Sequence, residues 1–203
     1  MGRALPVVAL LLLATSLARA SEVELSGAEG HRRERFPLAV HLPSAGEPAL
    51  DAAAKRAVAD WNAVTETTLG VRAFRDVGAA GEAGILVAFE SVSARMMGAT
   101  QLGTDARGVI ELPVRITLFP PEARGQTSRE TLLYQILAHE LGHALGLPHT
   151  RDPRSLMCCV AGSIDFTHPE VRDAYIEARR HPDVRSAAAE IADHYTRFWK
   201  RVP

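Results

Sequence analysis

Residues 139–150 read HELGHALGLPHT, and no other stretch of the chain restricts its fold as tightly. His139 and His143 are four apart, so on a helix they share one face and stand one turn from each other. Both imidazoles can then reach a single ion, at roughly 2.0–2.1 Å if the ion is zinc. Gly146 lets the backbone leave the helix in a left-handed conformation, and the turn can bring His149 back as a third nitrogen ligand. Three histidines leave a fourth position open, the pattern of a catalytic rather than a structural zinc site. Glu140 follows the first histidine and can sit beside the metal without ligating it, placed to take a proton from water. A helix that merely carries histidines has no need of Gly146 and His149 at this spacing.

Such a site needs a helix and a scaffold, and the patterning supplies both. Over TSRETLLYQILAHELGHALG, Leu132, Leu133, Ile136, Leu137, Leu141 and Ala144 form a broad apolar face, with Gly146 as the stop. Thr127 and Glu130, three apart, fit a capping box at its start. Upstream, residues 36–42 read as a first strand, and Pro48 suits the first turn of a helix. That helix carries Leu50, Ala54, Ala57, Val58, Trp61 and Val64 at three- and four-residue spacings and ends at Gly70. Residues 71–77 and 84–90 read as short strands. Residues 96–119 read as a strand, a turn at 105–108 and a second strand holding Pro113, which points to an edge or a bulge. Residues 168–180 and 183–200 follow as two amphipathic helices. Mostly strands with one early helix, then helices, make an α+β domain.

The bulk numbers agree with one globular unit. The chain has 203 residues, 47% of them apolar, which is enough for one domain with a real core. Its 23 basic and 24 acidic residues nearly balance, and no Lys/Arg run forms a patch for nucleic acid, so that partner class is excluded. The N-terminus bears on compartment. Arg3, an apolar stretch and Ala18-Arg19-Ala20 compose a signal peptide over residues 1–20, with cleavage expected after Ala20. The apolar stretch is far short of the roughly 20 residues that span a bilayer, and no cysteine follows the site for lipid attachment. The mature protein is therefore expected outside the cytoplasm, secreted, periplasmic or extracellular, with no stable membrane anchor. The only cysteines, Cys158 and Cys159, are adjacent, and a vicinal disulfide and a pair of free thiols both remain open.

The run from His139 to His149 matches the metzincin zinc-protease signature. Metzincins also place a methionine in a tight turn beneath the zinc, and Met157, eight residues after His149 in RDPRSLMCC, stands where that Met-turn belongs. This spacing resembles the matrixin, or matrix-metalloprotease-like, branch. The resemblance implies a twisted mixed sheet with an early helix, an active-site helix and C-terminal helices. It also implies one catalytic Zn2+ held by His139, His143 and His149, with Glu140 as general base for peptide-bond hydrolysis. A peptide or protein substrate would lie extended along the edge strand, for which residues 99–104 are the candidate. Cys158, Cys159 and Val160 would wall the specificity pocket. Residues 21–35 are then a short leader, 36–180 the catalytic domain and 181–203 a C-terminal helical extension.

Several positions depart from the family pattern. Thr150 stands where matrixins usually carry Ser. Both cysteines lie downstream of the zinc motif, so latency through a cysteine-bearing propeptide is not expected. The family's calcium and second-zinc loops have no clear match, since LGTDARG is too sparse, and structural calcium is not supported. His31, His41, His168, His181 and His194 lack ligand-like spacing and are expected at the surface or at helix ends. Trp61 and Trp199 are expected to pack, and HRRER at 31–35 to be solvated. Two other functions compete: a secreted zinc-binding module without turnover, and a zinc hydrolase restricted to chain ends or cell-wall peptides. The presence of Glu140 speaks against the first.

Overall fold

A computed structural model describes residues 25–90, 97–119, 121–123 and 125–203. The signal peptide expected over 1–20 lies outside them. Five strands and four main helices follow in chain order: β1 (Leu38–His41), α1 (Pro48–Leu69), β2 (Phe74–Asp76), β3 (Ile85–Phe89), β4 (Gly98–Gln101), β5 (Val114–Leu118), α2 (Arg129–Ala144), α3 (Pro169–Arg180) and α4 (Ala188–Arg201).

The strands form one mixed sheet in the order β2-β1-β3-β5-β4. The first four run parallel, and β4 pairs antiparallel with β5 through Gly98 opposite Leu118 and Gln101 opposite Arg115. Along β5, Val114, Ile116 and Leu118 are buried while Arg115 is exposed, the period-two alternation of a sheet covered on one face. Helices α1 and α2 pack against one another, and α2 also lies against β4 and β5. This is the α+β class that the sequence pattern predicts, with the mixed sheet, early helix and site helix that the metzincin resemblance implies.

Helix α1 begins with Pro48 in its first turn and ends at Gly70, whose φ of 68° is the left-handed stop. Leu50, Ala54, Ala57, Val58, Trp61 and Val64 all point into the core. Trp61 is fully buried and its indole N–H donates to the Ala138 carbonyl at 2.8 Å, which ties α1 to the middle of α2. Trp199 is half-buried and donates to the His31 carbonyl.

Three expectations need correction. The cap of α2 is Ser128, not Thr127: the Ser128 hydroxyl accepts from the Thr131 amide at 3.2 Å. Two adjacent hydroxyls offer the same cap one residue apart, and only the backbone path selects between them. Pro113 is not on an edge. It precedes Val114, and β5 is an interior strand, so the missing N–H falls outside the ladder. His31 and His194 are not surface residues either, being 0% and 3% exposed. Long-range packing buries them. The His31 ring bonds through Nε2 to the Ala144 carbonyl at 2.8 Å, and the Tyr195 hydroxyl donates to the Leu145 carbonyl beside it. The segment from Gly27 to His31 is thus held between the end of α2 and helix α4, whose Ile191, Tyr195 and Phe198 are buried. His168 and His181 do occupy the two ends of α3, as expected.

Candidate metal centre

The second half of α2 runs through the core, with Leu137, Ala138, Leu141 and Ala144 all fully buried. His139 and His143 rise from successive turns on one face, their ring centroids 4.6 Å apart. Beyond Ala144 the helix closes in a Schellman motif. The Leu147 amide donates to the Gly142 carbonyl and the Gly146 amide to the His143 carbonyl, with Gly146 at φ 92°. This reversal carries His149 back over the helix end. Its Nε2 lies 3.1 Å from Nε2 of His139 and 3.2 Å from Nε2 of His143.

The three rings fit a metal ion. Ligand nitrogens about 2.0–2.1 Å from one zinc at near-tetrahedral angles stand about 3.1–3.4 Å apart. Backbone carbonyls set the ring orientations: Nδ1 of His139 donates to Leu156 O at 2.9 Å and Nδ1 of His143 to Leu147 O at 2.8 Å. With the proton on Nδ1, each Nε2 presents a lone pair to the shared centre. Burial, reinforced by the neighbouring imidazoles, pushes His139 down to about 3. Burial also pushes His143 down to about 4. Both are neutral at physiological pH, as ligation requires. His139, His143 and His149 are the one group of three or more His, Cys, Asp or Glu side chains among the described residues that could hold a metal ion.

Glu140 is buried on the same helix. Its Oε2 accepts a hydrogen bond of 2.7 Å from the Thr100 hydroxyl on β4. Met157 is fully buried directly beneath the helix turn between the two histidines. A Cβ on Gly142 would overlap its sulfur and lie 3.2 Å from Cζ2 of Trp61, so glycine permits this close approach. The segment around Met157 is itself pinned. The Met157 amide donates to the Ser155 hydroxyl, which donates in turn to the Glu190 carboxylate of α4 at 2.9 Å. The Ser186 hydroxyl accepts from the Leu156 amide, the residue whose carbonyl orients His139. Thr150 pairs with Met157 and Val160 through its backbone, and its hydroxyl accepts from the Asp152 amide. Cys158 and Cys159 are joined as a vicinal disulfide. Arg179 of α3 donates to the Cys158 carbonyl at 2.9 Å.

Sequence reasoning brought out all the histidines of the cluster, Glu140 and Met157, and the fold assembles them in one place. It missed Thr100, Ser155, Glu190 and Arg179. Thr100, Glu190 and Arg179 reach the site from distant parts of the chain, and no local spacing marks them; Ser155 lies two residues before Met157, but its role depends on Glu190. The candidate segment over 99–104 overlaps β4, one of the two edge strands, at residues 99–101, while its Gly103 carbonyl accepts from the Glu111 amide.

Comparison with protein families matches residues 122–174 to the matrixins. That stretch holds HELGHALGLPHT and Met157, the residues whose geometry is described above, and the chain is matrixin-like over it. The match supports, in general terms, a zinc metallopeptidase. No curated protein matches the chain.

Proposed function

We propose that the chain is an exported zinc endopeptidase that hydrolyses peptide bonds in extended peptide or protein substrates. The observation that carries this reading is the convergence of the Nε2 atoms of His139, His143 and His149 within 4.8 Å, on a helix that also carries the buried Glu140. A structural zinc site has no use for a carboxylate at that position.

His139, His143 and His149 would hold the zinc, which when bound would supply Lewis acidity to a peptide carbonyl and to a water. Glu140 is the general base in this proposal: its carboxylate takes the water's proton and later passes it to the leaving amine. The outer edge of β4 offers backbone N–H and C=O groups to which an extended substrate can add as a further strand. Met157, packed beneath Gly142, keeps the turn that carries the two helix histidines from shifting. Cys158, Cys159 and Val160 follow it, and the proposal gives them the wall of the specificity pocket. Export rests on the signal-like residues 1–20. No helix among the described residues is long and apolar enough to cross a membrane.

The test is bound metal and cleavage of a mixed peptide library, for wild type and Glu140→Ala. The expected outcome is one zinc per chain in both and internal cleavage by wild type alone. Wild-type protein that holds zinc but cuts nothing would favour a binding module. Cleavage confined to chain ends would replace the endopeptidase reading with an exopeptidase one. Equal rates for the two proteins would remove Glu140 from the mechanism.

A further inference from the structure

We infer that Thr100 is a positioning residue that holds the Glu140 carboxylate in its working orientation, an inference that rests on the general-base role proposed above. Thr100 is buried, and its hydroxyl lies 2.7 Å from Oε2 of Glu140 and 3.1 Å from that residue's own carbonyl oxygen. In the ionised form that the general-base role requires, Glu140 accepts the hydroxyl's single hydrogen bond at the shorter contact, which makes the bond charge-assisted and stronger than a neutral one.

The contact joins two elements with different tasks. Helix α2 carries the base, while β4 is the outer strand along which substrate is proposed to lie. Side chains two apart on a strand share a face, so Gly98 and Thr100 both address α2. A Cβ at Gly98 would stand 2.9 Å from Oε1 of Glu140 and 2.7 Å from Cγ2 of Ile136. One face of β4 therefore provides a donor for one carboxylate oxygen and clearance for the other. A glutamate has three side-chain torsions, and a base free to sample them spends little time in a productive geometry. The β4 face removes that freedom before substrate arrives. Thr100 touches no reacting atom in this scheme and acts only through Glu140.

The experiment compares the full mature chain as wild type, Thr100→Val, Thr100→Ser and Glu140→Gln. The readouts are zinc content, kcat and KM on a fluorogenic peptide chosen from the library, and the Glu140 side chain in crystals of the zinc-free protein. The Val variant keeps the shape of Thr100 and loses the hydroxyl. Its kcat is expected to fall about ten- to hundredfold, the size of a lost hydrogen bond to a charged group, with KM within about twofold. Glu140 is expected in one rotamer in wild type and in more than one in Thr100→Val. Thr100→Ser, which keeps the donor, is expected to restore both readouts.

An unchanged kcat in Thr100→Val beside an inactive Glu140→Gln would overturn this inference and leave the general base standing. A Thr100→Ser variant as impaired as Thr100→Val would show that packing matters and the hydroxyl does not. Full activity in Glu140→Gln would overturn the general base, and this inference with it. The crystallographic readout applies even if no cleavable peptide is found, since a single Glu140 rotamer in Thr100→Val refutes the positioning role. Should Thr100→Val fail to fold, Thr100→Ala is read in the same way.

Discussion

Gly146→Ala would disturb the fold and the candidate centre through one atom. Gly146 has φ 92°, in a region that costs a residue with a Cβ about 1–2 kcal/mol. The added methyl would also overlap the Glu29 carbonyl oxygen and lie 3.2 Å from Nε2 of the buried His194. Glu29 is two residues from His31, whose ring is bonded to Ala144 and whose carbonyl accepts from Trp199, so the leader cannot retreat without losing those bonds. Overpacking of this kind costs about 1–3 kcal/mol, and the total for Gly146→Ala comes to about 2–5 kcal/mol. Gly162→Ala is the internal control. Its φ is 73°, and nothing lies within 4 Å of the added methyl, so it bears only the backbone cost. Urea unfolding of the metal-free mature chain, followed by the fluorescence of Trp61 and Trp199, gives both values. Gly146→Ala should be the more destabilised of the two by about 1–3 kcal/mol. Equal losses, within about 0.5 kcal/mol, would refute the claim that the leader is packed against the helix end. Zinc affinity should fall in Gly146→Ala alone, because His149 depends on that reversal for its position.

Three further outcomes follow from the same contacts. His149→Ala should weaken zinc binding by more than about a hundredfold in a competition titration against a chelator, beyond the loss expected for an outer partner; unchanged affinity would show that His149 is not a ligand. Burial holds His31 down at about 4, against 6.5 when free, so its share of the stability is present above pH 6.5 and is lost as pH falls towards 4. His31→Gln should remove up to about 1.4 kcal/mol per pH unit from the slope of stability across that window, and urea titrations at stepped pH that retain the full slope would contradict the assignment. Gly98→Ala pushes a methyl into Ile136 and Glu140, and should lower kcat while zinc content measured by metal analysis stays at one per chain. Wild-type turnover in Gly98→Ala would mean that the carboxylate tolerates displacement.

What the sequence by itself determined is what short-range geometry controls. The i,i+4 spacing places His139 and His143 on one face whatever surrounds them, and Gly146 reverses the chain within three residues of His149. Those are local backbone properties, so the metal cluster was legible from one line of text. The apolar stripe of α1 and its stop at Gly70 were legible for the same reason. Ser128 over Thr127 as the cap, and Pro113 outside an interior strand, show how far local reading falls short even within a single element. Only the tertiary structure decided what holds the site still. Thr100 meets Glu140 across forty residues, and the Glu190 carboxylate reaches the Met157 turn through Ser155 across thirty-five. His31 is buried by an α2 carbonyl more than a hundred residues away. Side chains on the far face of a strand or helix acquire partners only when sheet order and helix packing are set, and no periodicity in the chain encodes which partner arrives.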